Sequence, residues 1–114
     1  MNPFYPKVAD CAAHRCEYCR APELVFNFPF EIEHIIPICR GGDDTELNLA
    51  LACRSCNLRK GIRTTGIDLT SKTEIAFFNP RQSNWSEHFE IDSKLGQIQG
   101  KTPTGRVTIT SLEM

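Results

Sequence analysis

Apolar and polar positions alternate most clearly in the middle of the chain. Phe30, Ile32, Ile35 and Ile36 are apolar, Glu31, Glu33 and His34 interrupt them, and Pro37 ends the run. This predicts a strand over residues 30–36 that runs into a turn. Leu47, Leu49 and Leu51 alternate with Asn48, Ala50 and Ala52, which predicts a second strand with one leucine face. Between them, CRGGDDTE (39–46) is polar and glycine-rich and reads as a loop. A helix of about two turns follows, closed by Gly61 as a left-handed cap. The predicted order is therefore strand, loop, strand, helix.

The flanks are less sharply patterned. Val8, Cys11 and Ala12 share a face of a predicted helix over 6–15, with Pro6 in its first turn. Residues 20–29 contain Pro22 and Pro29 and read as loop, with an apolar patch at Leu24, Val25 and Phe26. Residues 62–74 also read as loop. NWSE (84–87) has a capping-box pattern, Asn84 as cap and Glu87 returning to it, so a short helix is expected there. FEID and QIQG flank SKL and predict a hairpin across 89–100. Thr102-Pro103 starts a last helix, against the strand preference of Val107, Thr108, Ile109 and Thr110. Trp85 and Phe89, four apart, are expected to meet in the core.

Composition bounds this picture. A length of 114 residues predicts one domain, 1–114, and an apolar content of 40% suits a globular chain. No run of about 18 apolar residues is present to span a membrane. The start, MNPFYP, has no basic stretch leading into an apolar one, so a cytoplasmic protein is expected. The net charge of −1 argues against a protein that coats nucleic acid non-specifically. It leaves room for a local basic patch, and RSCNLRKGIR (54–63) carries Arg54, Arg59, Lys60 and Arg63 with no acid. By default these form a solvated helix face; beside a site they would clamp phosphates, Lys60 foremost because it shares a face with Asn57. Nothing local demands a nucleic-acid contact from Arg81 or Arg106, and His14 and His88 read as surface or capping residues.

Six cysteines add the first specific chemistry. Cys16 and Cys19 form one C-x-x-C unit and Cys53 and Cys56 another. Each unit turns two sulfurs toward one centre, and two units supply a tetrahedron of thiolates suited to zinc. A redox pair or buried apolar cysteines are the competing readings. Cys11 and Cys39 are expected to be packing residues. A zinc closed by four sulfurs has no open coordination position, so it would be scaffold.

Such a staple holds the strand with Glu33 and His34 against the helix with Asn57. Glu33 and the amide oxygen of Asn57 offer hard oxygen ligands for Mg²⁺ or Mn²⁺. His34 is able to take a proton from water near neutral pH. A base and a metal aimed at one phosphate are the minimum apparatus for phosphodiester hydrolysis. Strand alternation sends Glu33 and His34 to opposite faces, so they share a site only where the strand twists or ends. Ile35-Ile36-Pro37 offers such an end.

The stretch EHIIPICRGGDDTELNLALACRSCNLRKG resembles the HNH, or ββα-metal, nuclease motif in its four-cysteine version, as in modified-cytosine restriction endonucleases. The resemblance covers residues 16–61. It implies an α+β fold: a small ββα-metal core stapled by zinc, with a helix and hairpin extension over 62–114. It implies His34 as general base, Asn48 bonded across the loop to orient that base, and Glu33 and Asn57 as ligands of the catalytic metal. Glutamate at 33 replaces the family's usual aspartate. Asparagine at 57 replaces a frequent histidine and tilts preference toward Mg²⁺ or Mn²⁺. DNA is the implied substrate. The alternatives are a zinc-knuckle module that binds nucleic acid or protein without cutting, and a secreted disulfide domain. Oligomeric state is not readable from the sequence.

Overall fold

The computed structural model describes residues 2–114. Helix α1 (Tyr5–Cys11) starts with Pro6 in its first turn and buries Val8 and Ala9 against the central hairpin. It is shorter than the predicted 6–15, because Ala13 and His14 take positive φ angles (53° and 55°) that no helix continues through. A 3₁₀ turn (Glu23–Val25) interrupts the following loop and leaves Leu24 and Val25 exposed, 93% and 72%.

The central hairpin pairs β1 (Glu31–His34) with β2 (Leu49–Ala52) in antiparallel register, Glu33 opposite Ala50 and His34 opposite Leu49. All four β2 residues are buried, so the strand has no polar face, and Leu47 lies outside it in a 3₁₀ turn at 78% exposure. The predicted leucine face is thus corrected: leucine and alanine are both inside, with α1 packed against the strand. Helix α2 (Arg54–Lys60) begins inside the second C-x-x-C, with the Cys53 sulfur accepting from the Cys56 amide at its N-terminus. Gly61 ends it, but at φ 55° and ψ −132° it lies outside the left-handed helical region expected of the cap, in a conformation that favours glycine.

The segment after α2 departs from the expected loop. Thr65–Asp68 (β3) and Thr73–Ala76 (β4) form an antiparallel hairpin. Helix α3 (Trp85–His88) carries the predicted capping box, and β5 (Phe89–Asp92) pairs with β6 (Gln97–Gly100) as a third hairpin. The final segment is helix, α4 (Pro103–Leu112), with the Thr102 hydroxyl accepting from the Gly105 amide. That cap and Pro103 at the first turn outweigh the β-branched run. Helix α4 packs on β3, β6 and α2, and so ties the extension to the motif helix. Trp85 stacks on Phe89 with ring centroids 5.0 Å apart.

The core joins both halves: Val8, Tyr18, Leu49, Leu51, Phe78, Phe89 and Leu112 belong to one buried cluster. Of two further ion pairs, the first crosses the same boundary and the second lies within the extension. Arg81 grips Glu17, beside Cys16, through two bonds of 2.7 Å, and Arg106 grips Asp68. Cys11 and Cys39 are exposed rather than packed, Cys11 as the last residue of α1 and Cys39 in a 3₁₀ turn (Ile38–Arg40). Among the described residues no helix is long and apolar enough to cross a membrane.

Candidate functional site

The two C-x-x-C units converge. The sulfurs of Cys16, Cys19, Cys53 and Cys56 all lie within 4.8 Å of one another, and none is in a disulfide. Zinc–sulfur bonds of about 2.3 Å in a tetrahedron place sulfurs roughly 3.8 Å apart. The Cys19–Cys53 separation is 3.8 Å. Three of the four cysteines are buried, so the group would be closed to substrate. The four cysteines are therefore positioned to form a structural zinc site.

From this staple the hairpin and α2 lie face to face. Strand alternation turns Glu31 and Glu33 toward α2, where Asn57 and Lys60 share a helical face. The Asn57 amide nitrogen donates to Glu31 Oε2 at 3.2 Å. Lys60 Nζ donates to Glu33 Oε2 and to the Ile35 carbonyl, both at 2.8 Å. The Tyr18 hydroxyl, from the first cysteine unit, donates to Glu33 Oε1. Burial pushes the Glu33 carboxyl up, opposed by the charge of Lys60 and by the bonds from Lys60 and Tyr18. Burial and the neighbouring Glu33 push the Tyr18 hydroxyl up as well.

This arrangement corrects the expectation for Lys60. It is 1% exposed, with its ammonium held inside the fold, and is not a surface phosphate clamp. The buried Glu33 carboxylate supplies the physical reason, since it needs a counter-charge. The other basic residues differ among themselves. Arg59 bonds Glu113 at 2.9 Å, and Arg63 bonds the carbonyls of Arg59 and Ser111 and stacks over Phe77. Arg54 is exposed and has no hydrogen-bond or ion-pair partner among the described residues. Arg81 and Arg106 are committed to the ion pairs described above.

His34 is the last residue of β1 and turns the other way from Glu33, toward the loop. Its Nε2 lies 2.9 Å from Asp44 Oδ1. Asn48 ties that loop down: its amide oxygen accepts from the Ile36 amide at 2.9 Å. Its amide nitrogen donates to the carbonyls of Ile36 and Asp43 at 2.9 and 2.8 Å. Gly42 packs against the Ile36 carbonyl, where any Cβ would collide. Because β1 ends at His34, residues from both of its faces reach one opening. Glu33, His34 and Asn57 together line an open cleft of about 320 Å³, floored by Ile32 and rimmed by Ile38 and Ile62.

Sequence reasoning overlooked three carboxylate contacts here. Glu31 on Asn57 and Asp44 on His34 join residues 26 and 10 positions apart, and Glu33 on Lys60 joins residues 27 apart. Period-2 alternation puts Glu31 beside Glu33 and was the only signal available for the first. Comparison with curated proteins and with solved structures gave no match. Residues 16–63, which hold the four cysteines, the β1–β2 hairpin and α2, match the family described as HNH endonuclease.

Proposed function

We propose that the protein is a metal-dependent endonuclease that hydrolyses phosphodiester bonds of DNA at the His34 cleft. The observation that carries this reading is the shared cleft: Glu33, His34 and Asn57 of the HNH segment all line it. His34 takes a proton from the water that attacks phosphorus. Asn48 holds the loop and β1 end on which His34 sits. The scissile phosphate enters from the open side, with the exposed Arg54, which has no partner among the described residues, available to hold the backbone beside it.

The donor set around the cleft suits a hard divalent cation. Asn57 spends its amide nitrogen on Glu31, which leaves its amide oxygen accepting no hydrogen bond among the described residues. Glu33, whose side chain is 2% exposed, accepts from Tyr18 at one oxygen and from Lys60 at the other, so an ion would take one of its remaining lone pairs. The other oxygen of Glu31 is buried with no partner, a negative position that a nearby cation would neutralise. Glu33 and Asn57 would thus hold Mg²⁺ or Mn²⁺, with waters and a phosphate oxygen completing its shell. When bound, the ion stabilises charge on the phosphoryl group and the leaving oxygen.

The test is cleavage of supercoiled plasmid by zinc-loaded protein with Mg²⁺ or Mn²⁺ added, and with EDTA as control. Nicking that requires the added metal is expected. Folded, zinc-loaded protein that binds DNA and cuts it under no metal would overturn the reading in favour of a binding module.

A further inference from the structure

We propose that Asp44 is a positioning residue for His34, holding its imidazole in the tautomer and orientation that a general base needs; the proposal rests on the nuclease reading above. Asp44 Oδ1 lies 2.9 Å from His34 Nε2. An ionised carboxylate only accepts hydrogen bonds, so the ring must donate its Nε2 hydrogen. The neutral imidazole then carries its lone pair on Nδ1. Among the described residues Nδ1 has no hydrogen-bond partner, so it is the atom left to receive a proton from water.

The loop is built to present Asp44 and not its neighbour. Asp43 is engaged within the loop: its Oδ1 accepts from the Thr45 amide and hydroxyl at 3.2 and 2.7 Å, and its carbonyl accepts from Asn48. Gly42 donates its amide to the Pro37 carbonyl at 3.0 Å and packs where no side chain fits. With residues 42, 43 and 45 fixed, Asp44 is the loop side chain directed at the end of β1. Asn48 thereby anchors both partners, His34 through the β1 end and Asp44 through the loop.

Stability does not account for the contact. The Asp44 side chain is 65% exposed and His34 29%, and a pair so open to water adds little to folding. A carboxylate that fixes a functional imidazole has an effect far beyond its stabilising value. If the contact were only a surface ion pair, removing it would change nothing in catalysis.

The experiment compares wild type, Asp44→Ala and Asp44→Glu, all zinc-loaded, in metal-dependent plasmid nicking and in ¹⁵N NMR of the histidine rings. Asp44→Ala is expected to lower kcat about 10–100-fold with KM unchanged. Asp44→Glu, which keeps a carboxylate, is expected to recover most of that loss. In the spectrum, neutral His34 of the wild type is expected as the Nε2–H tautomer with a protected ring hydrogen, and Asp44→Ala is expected to lose that protection. Wild-type kcat in Asp44→Ala, with nicking still abolished by His34→Ala, would overturn the positioning role and leave the nuclease reading standing. An Nδ1–H tautomer in the wild type would overturn it whatever the cleavage result. Absence of nicking by wild type under any metal would sink the nuclease reading and this role with it, even where the ring spectrum keeps the contact.

Discussion

Replacing Lys60 by methionine tests the centre of the fold. Lys60 and Glu33 are each 2% exposed at the side chain, and their charges meet at 2.8 Å. Methionine keeps the length of the stem but strands the Glu33 carboxylate in the interior, with only the Tyr18 hydroxyl still donating to it. The Ile35 carbonyl loses its ammonium donor in the same step. Breaking a buried pair from one side costs about 3–5 kcal/mol. For a domain whose whole stability is of order 5–15 kcal/mol, that is a large fraction. Exchanging Glu33 for glutamine as well removes the stranded charge, so the double variant is expected to recover roughly 2 kcal/mol relative to additive single effects. The assay is urea unfolding at fixed excess zinc, followed by fluorescence of Trp85. That indole donates to the Tyr18 carbonyl at 2.7 Å and so reports on the same region. A Lys60→Met variant within about 1 kcal/mol of wild type, or strict additivity in the double variant, would refute the reasoning.

Other expectations follow from the same geometry. Asn48→Ala removes three hydrogen bonds and is expected to cost roughly 2–3 kcal/mol, at about 1 each; hydrogen exchange at the Ile36 amide should accelerate markedly. Stripping zinc with a strong chelator is expected to abolish cooperative unfolding, since a four-cysteine zinc contributes about 10–16 kcal/mol in apparent terms; far-UV circular dichroism against zinc content checks this. Burial pushes the Glu23 carboxyl up, but hydrogen bonds from Tyr5, His14 and the Phe30 amide outweigh it and hold the group below its ordinary value. A depressed carboxylate stabilises above its ordinary pKa of about 4.3, and the contribution is lost as pH falls through the lower folded value. The stability gap between wild type and Glu23→Gln should therefore narrow on acidification below about pH 4. His14 carries a raised pKa from the same contact, so its part fades instead as pH rises above the ordinary histidine range.

Much of the motif was legible because its chemistry is local. C-x-x-C spacing, the period-2 run into Pro37, the capping box at Asn84 and the Thr102-Pro103 start each depend on residues within a few positions. Lys60 was misread because a lysine in a basic run looks solvated, and only the fold reveals the buried carboxylate 27 residues upstream. The hairpin of β3 and β4 escaped because its strands have four residues each and little burial, and its turn has no glycine or asparagine. Lys72 takes the positive φ there instead, at 58°. Asp44 was indistinguishable from Asp43 until the loop closed around Asn48.

His34 as general base is tested by His34→Ala in the plasmid assay, with zinc content and circular dichroism matched to wild type. Metal-dependent nicking is expected to disappear while DNA binding persists, because the ring touches the reaction and not the staple. Cleavage by the variant at the wild-type rate would contradict His34 as the base.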